Sequence, residues 1–101
     1  MMLKKIQILV LILGTALLVS CHRDFARLQK KGTIDEKYKA AIKYYEKADY
    51  YHAGVLFEEL MPILKGDSTA ERTQFYNAYC NYYQGQFQMS SYAFKTFYST
   101  Y

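Results

Sequence analysis

Ala41-Ile42-Lys43-Tyr44-Tyr45-Glu46-Lys47-Ala48-Asp49-Tyr50-Tyr51-His52-Ala53-Gly54-Val55-Leu56-Phe57 sets out a pattern of residue types that recurs in this chain. Moved on by 37 residues it falls on Ala78 to Phe94, laying Ala41 on Ala78, Tyr45 on Tyr82, Tyr50 on Phe87, Ala53 on Ser90 and Phe57 on Phe94; Leu60 then falls on Phe97. A repeat of this period is one supersecondary unit that stacks on its copy to bury an apolar face. Tyr51 to Leu64 carry Ala53, Leu56, Phe57, Leu60 and Leu64, and Met89 to Tyr101 carry Ala93, Phe94, Phe97, Tyr98 and Tyr101. Both sets show the three-and-four spacing of one helix face. Thr33 with Glu36, and Ser68 with Glu71, match the S/T-x-x-E capping box, whose hydroxyl and carboxylate satisfy free amides at a helix start. These signals predict four helices in two pairs, 33–66 and 67–101, each pair turning at Ala48-Asp49-Tyr50 or Gly85-Gln86-Phe87. Small residues at Ala41, Ala78, Ala53 and Ser90 let paired helices approach. Tyr50 and Phe87 are expected to plug the turns, with Phe57 and Phe94 filling the space beneath. Gly66 suits the left-handed residue that ends a helix.

Outward from the repeat, 101 residues allow one small domain at most. Composition breaks at Cys21. Before it, 14 of 20 residues are apolar and none is aromatic or acidic; beyond it lie all 12 Tyr, all 6 Phe and all 9 acidic residues. The second part can bury a core and is no disordered tail. Without Lys4 and Lys5 its basic residues fall from 13 to 11 against 9 acidic ones, a balance of +2, which gives little support for a nucleic-acid partner. The lack of Trp and the single Pro also argue against a loop-rich, many-stranded domain.

Lys4 and Lys5 precede Ile6 to Val19, interrupted only by Gln7, Gly14 and Thr15. A 14-residue helix spans about 21 Å, short of the ~30 Å hydrocarbon core, so an export signal over 1–20 fits better than a membrane span. Leu18-Val19-Ser20-Cys21 resembles the bacterial lipobox. The resemblance implies cleavage between Ser20 and Cys21 and a diacylglycerol plus an N-acyl chain on Cys21, a covalent lipid and the only prosthetic group expected. Three acyl chains at ~0.8 kcal/mol per buried CH2 make such an anchor effectively permanent. A cleaved secretory signal with an incidental cysteine is the alternative. His22, where an aspartate would hold a lipoprotein at the inner membrane, leaves the outer membrane as destination. Residues 21–32, polar and basic around Phe25 and Leu28, read as the lipidated N-terminus and its tether. With Cys21 lipidated, Cys80 has no intramolecular partner, so a disulfide framework is excluded. In its helical setting Cys80 is a small buried hydrophobe rather than a reactive thiol.

The small residue, tyrosine, turn aromatic, alanine and phenylalanine in this order resemble the tetratricopeptide repeat (TPR) over residues 34–101. That resemblance implies an all-α fold of antiparallel helix pairs stacked as a right-handed solenoid after the N-terminal signal helix. Asn81 stands where Tyr44 supplies the repeat's tyrosine, Ser90 replaces an alanine, and Pro62 precedes the usual closing position. The period exceeds the usual 34 by three, which Lys65-Gly66-Asp67 can absorb. Tyr44-Tyr45-Glu46-Lys47-Ala48-Asp49-Tyr50, Phe57-Glu58-Glu59-Leu60-Met61-Pro62, Ala78-Tyr79-Cys80-Asn81-Tyr82-Tyr83 and Ala93-Phe94-Lys95-Thr96-Phe97 further resemble the N-terminal part of the BamD family, TPR lipoproteins of the outer-membrane β-barrel assembly machinery. The resemblance implies a protein on the periplasmic face of the outer membrane that partners the barrel insertase, its companion subunits and unfolded barrel precursors. Family members carry about five repeats, so this chain is expected to be the N-terminal piece of a longer solenoid, marginally stable without neighbours.

No catalytic constellation is present. His22 and His52 lie apart in character, and Glu58 and Glu59 point about 100° apart on a helix as solvated charges. No phosphate loop, Cys-x-x-Cys pair, metal cluster or nucleophile elbow occurs, so a binding protein, not an enzyme, is expected. In TPR stacks the first helix of each pair lines the concave groove. On that frame Tyr38, Ile42, Tyr45, Phe75, Tyr79 and Tyr82 face it, as a groove for extended peptides. Tyrosine suits that task, with apolar area, a polar tip and few rotors. The alternative is that several of them pack between helices. Two other binding classes stay open: a SusD-like glycan-binding TPR lipoprotein, against which the short Lys65 to Ser68 turn leaves no room for insertions, and a TPR lipoprotein coordinating cell-envelope and peptidoglycan assembly, which would carry a coiled coil before the repeats.

Overall fold

The structure is a computed structural model that describes the backbone of residues 1–101 and the side chains outside 16–22. Ser20, Cys21 and His22, expected to carry cleavage, lipid and sorting, lie outside the described side chains. The chain is all-helical: α1 (Met2–Lys31), α2 (Ile34–Glu46), α3 (Tyr50–Leu60), α4 (Ala70–Tyr83) and α5 (Phe87–Thr100). It divides into Met1–Gly32 and Thr33–Tyr101.

The first unit is the single helix α1. One helix runs through both the expected export segment and the expected tether. No Gly or Pro interrupts residues 15–31, and Lys30 and Lys31 in the last turn complement the helix dipole. Among the described residues no helix is long and apolar enough to cross a membrane.

In the second unit α2 packs on α3, α3 on α4 and α4 on α5, giving two stacked helix pairs. Thr33 starts α2 as its sequence pattern indicates, its Oγ1 accepting from the Glu36 amide at 3.1 Å. The second capping box does not form. Helix α4 begins at Ala70 with Thr69 before it, because the Asp67 carboxylate takes over the turn. It accepts from the Thr69 amide and hydroxyl, both at 3.0 Å, and from the Ser68 hydroxyl at 3.3 Å. These bonds, the Thr69 amide's first, hold the Asp67 carboxyl below its usual range. Asp49 caps α3, accepting from the His52 amide at 3.3 Å, while His52 Nδ1 lies 2.7 Å from Asp49 Oδ2.

Helix α3 stops at Leu60, four residues short of the apolar pattern, because Pro62 has no N–H to donate back along the helix. The chain then turns, with Gly66 left-handed at φ +88°, and still delivers Leu64 to the core at 8% exposure. The two turns within the pairs share a device at equivalent positions: Ala48 has φ +62° and Gly85 φ +78°.

Ala41, Ala53, Leu56, Phe57, Leu60, Ala78 and Cys80 are fully buried. Ser90 replaces alanine at no polar cost, because its hydroxyl donates to the Ala78 carbonyl at 3.2 Å. Tyr50 plugs the first turn, stacked 4.5 Å from Tyr83 and edge-on to Tyr45 at 5.4 Å. Phe87 does not plug the second. It is 62% exposed, since no helix lies over that turn as α4 lies over the first, and its ring meets Tyr82 at 5.6 Å. Phe94 is half-buried where Phe57 is enclosed. Glu59 is not a solvated charge either: it forms an ion pair with Lys37 of α2, whose side chain is 12% exposed. The pair ties α2 to α3 across 22 residues.

Candidate functional site

Six aromatic and aliphatic residues on the first helices of the pairs were expected to share one groove. The structure brings together two of them. Tyr38 of α2 and Phe75 of α4 line a cavity of about 690 Å3, completed by Ser68, Thr69, Glu71, Arg72 and Tyr76, with Phe97 from α5. The volume is in the range of small-ligand clefts.

The other four are divided by packing. Tyr45 fills the joint between the pairs, 4.7 Å from the Tyr76 ring and 5.4 Å from Tyr50. Burial, then the neighbouring Tyr83 and Cys80, pushes its hydroxyl up to about 12. Tyr79 is wedged edge-on between Phe75 at 4.8 Å and Phe94 at 5.0 Å, which bonds α4 to α5. Tyr82 is half-exposed at the far end of α4 beside Tyr83 and Phe87. Ile42 is half-buried and lines no part of the cavity.

Within the cavity the rings form a connected floor. Phe75 meets Phe97 at 5.7 Å and Tyr76 at 6.1 Å, and Tyr76 stacks on buried Phe57 at 5.5 Å. The rim is polar. Arg72 is exposed and forms no ion pair among the described residues, while Glu71 on the first turn of α4 sits favourably at the positive end of the helix dipole. Tyr38 carries a strained note: its hydroxyl is buried with no hydrogen-bond partner. A buried donor left so costs about 1–3 kcal/mol, which a ligand acceptor would recover.

Arg72, Tyr76 and Phe97 were missed as site residues. Arg72 precedes Phe75 by three positions and Tyr79 by seven, the stripe spacing of one face, so its place was available from the helical wheel. Ser68 and Thr69 reach the cavity only through the Asp67-centred turn. An aromatic floor with a guanidinium and hydroxyls at its edge can hold an aromatic side chain and a carboxylate together.

Cys80 is fully buried, and that burial pushes its thiol up to about 12, so it is protonated at neutral pH. Among the described residues no three of His, Cys, Asp and Glu converge as a metal site. No protein-family model, curated protein or solved structure matches this chain.

Proposed function

We propose that this chain is a lipid-anchored adaptor of the outer-membrane β-barrel assembly machinery, on the periplasmic face of that membrane. Cys21 carries the lipid, residues 1–20 are its export signal, and the helix pairs α2–α3 and α4–α5 are TPR-like units of a right-handed solenoid. The pairs hold precursor peptide and dock the barrel insertase. The observation that carries this reading is the cavity that Tyr38, Phe75, Tyr76 and Phe97 line together with Arg72. Barrel precursors end in an aromatic-rich strand. A terminal aromatic ring fits the floor, and the chain-terminal carboxylate pairs with the guanidinium. Small residues at Ala41, Ala53, Ala78 and Ser90, all buried between helices, support the repeat assignment.

The test is a fluorescence-anisotropy titration of the whole chain in lipid nanodiscs with a labelled peptide ending in a free C-terminal phenylalanine. Arg72→Ala and amidation of the peptide's C-terminus should each weaken binding about tenfold, and together no more than either alone, since both remove one charge-assisted contact. Equal binding of acid and amide would remove Arg72 from the role. Preference for a β-glucan or a peptidoglycan fragment would move the chain to the glycan-binding or envelope-coordinating class.

A further inference from the structure

On the far side of α4 lies a second groove, of about 750 Å3, between α3 and α5. Asn77 and Asn81 are two and six positions beyond Phe75, roughly 200° and 240° around the helix, and the two cavities share no lining residue. The floor of this groove is a row of carboxamides: Gln74, Asn77 and Asn81 from α4, faced by Gln88 from α5. Asn77 is 9% exposed, and none of these four side chains has a hydrogen-bond partner among the described residues. Asn77 is enclosed over most of its surface, yet the polar atoms of the row stay open to the groove and free to pair with a ligand. The walls are apolar, from Met61, Pro62, Met89 and Ala93.

We infer that this groove binds an extended, uncharged peptide segment of a partner protein, with Asn77 and Asn81 pairing to its backbone. A carboxamide offers one acceptor and two donors, so it matches the N–H and C=O of a single peptide residue. Spacing selects the extended form. Asn77 and Asn81 are four positions apart, a rise of about 6 Å along α4. A strand presents the N–H and C=O of every second residue on one edge, a repeat of about 6.6–6.8 Å. Gln74, one turn earlier and one methylene longer, continues the row. Alternate side chains of the bound segment lie on the methionine wall, where unbranched thioethers adapt to different residues. Glu58 and Lys65 line the groove as one acid and one base, so it favours neither sign of charge. The inference is independent of the proposed function.

The experiment is an anisotropy titration of the whole chain in lipid nanodiscs with a fluorophore-labelled hexapeptide of alternating serine and leucine, blocked at both ends. The peptide should bind, its fully N-methylated counterpart should not, and Asn81→Ala should weaken binding about tenfold. Asn81 is half-buried and its side chain has no hydrogen-bond partner among the described residues, so this variant folds where Asn77→Ala could fail. Lys43→Ala, exposed on α2 and lining neither cavity, should leave the affinity unchanged. The inference is overturned by absence of binding at millimolar peptide, by affinity indifferent to Asn81→Ala or to N-methylation, by loss of binding with Lys43→Ala alone, or by equal competition from cellohexaose, which would make the row a sugar site.

Discussion

Gly54 of α3 faces Cys80 of α4 so closely that a β-carbon at position 54 would lie 3.3 Å from the Cys80 β-carbon. Gln84 locks the same joint, its Nε2 donating to the Tyr50 carbonyl at 3.2 Å and the Cys80 carbonyl at 3.1 Å. The contact between the two helix pairs is therefore set by the absence of one side chain. Gly54→Ala gains about 1 kcal/mol of helix propensity and loses a similar amount to crowding. It should be near neutral, whereas Gly54→Val should destabilise by about 1–3 kcal/mol. Urea unfolding followed by circular dichroism separates the two.

Ala48 occupies the left-handed region that Gly85 occupies in the second pair. An L-residue with a β-carbon pays roughly 1 kcal/mol there. Ala48→Gly should raise stability by up to about 1 kcal/mol, and Gly85→Ala should lower it by a similar amount, both read from thermal melts.

Phe57 is fully buried and stacked on Tyr76. Phe57→Ala should cost about 3–5 kcal/mol. A helical unit of this size has on the order of 3–10 kcal/mol in all, so the change removes about a third of it or more. A urea midpoint unchanged from that of the parent chain would contradict the packing.

Cys80 and Tyr45 predict alkaline unfolding. Burial raises both, Cys80 from 9.0 and Tyr45 from 10.0, each to about 12. Both are neutral acids whose folded form resists ionisation. Their contribution is thus complete below pH 9 for Cys80 and below pH 10 for Tyr45, and is lost as pH rises toward 12. Helical signal should be flat from pH 7 to 9 and fall between pH 9 and 12. With Cys80→Ala the onset should move up toward pH 10.

Much of this fold could be read from the chain, and the failures have definite causes. Apolar spacing located the four helices after Thr33, and the 37-residue offset paired Ala41 with Ala78 and Ala53 with Ser90, all of which are buried. Thr33 and Ser68 carry the same capping pattern, yet Asp67 outcompetes Ser68, an outcome decided by a neighbour the pattern does not weigh. The helical wheel placed Tyr38 and Tyr45 on one stripe. It could not tell that Tyr50 and Tyr76 enclose Tyr45 while Tyr38 stays on a cavity, because that depends on how α2 crosses α3 and α4. Lys37 and Glu59, far apart in the chain, meet only once α2 and α3 are packed.

The central claim is a lipid-held adaptor that engages the barrel insertase. Its most direct measurement is affinity purification of the natural protein from detergent-solubilised outer membrane, with Cys21 intact and as Cys21→Ser. Recovery of the insertase is expected with the intact cysteine, with a clear fall in yield without it. Recovery of a glycan transporter or a peptidoglycan synthase in its place, or insertase yield indifferent to Cys21, would contradict it.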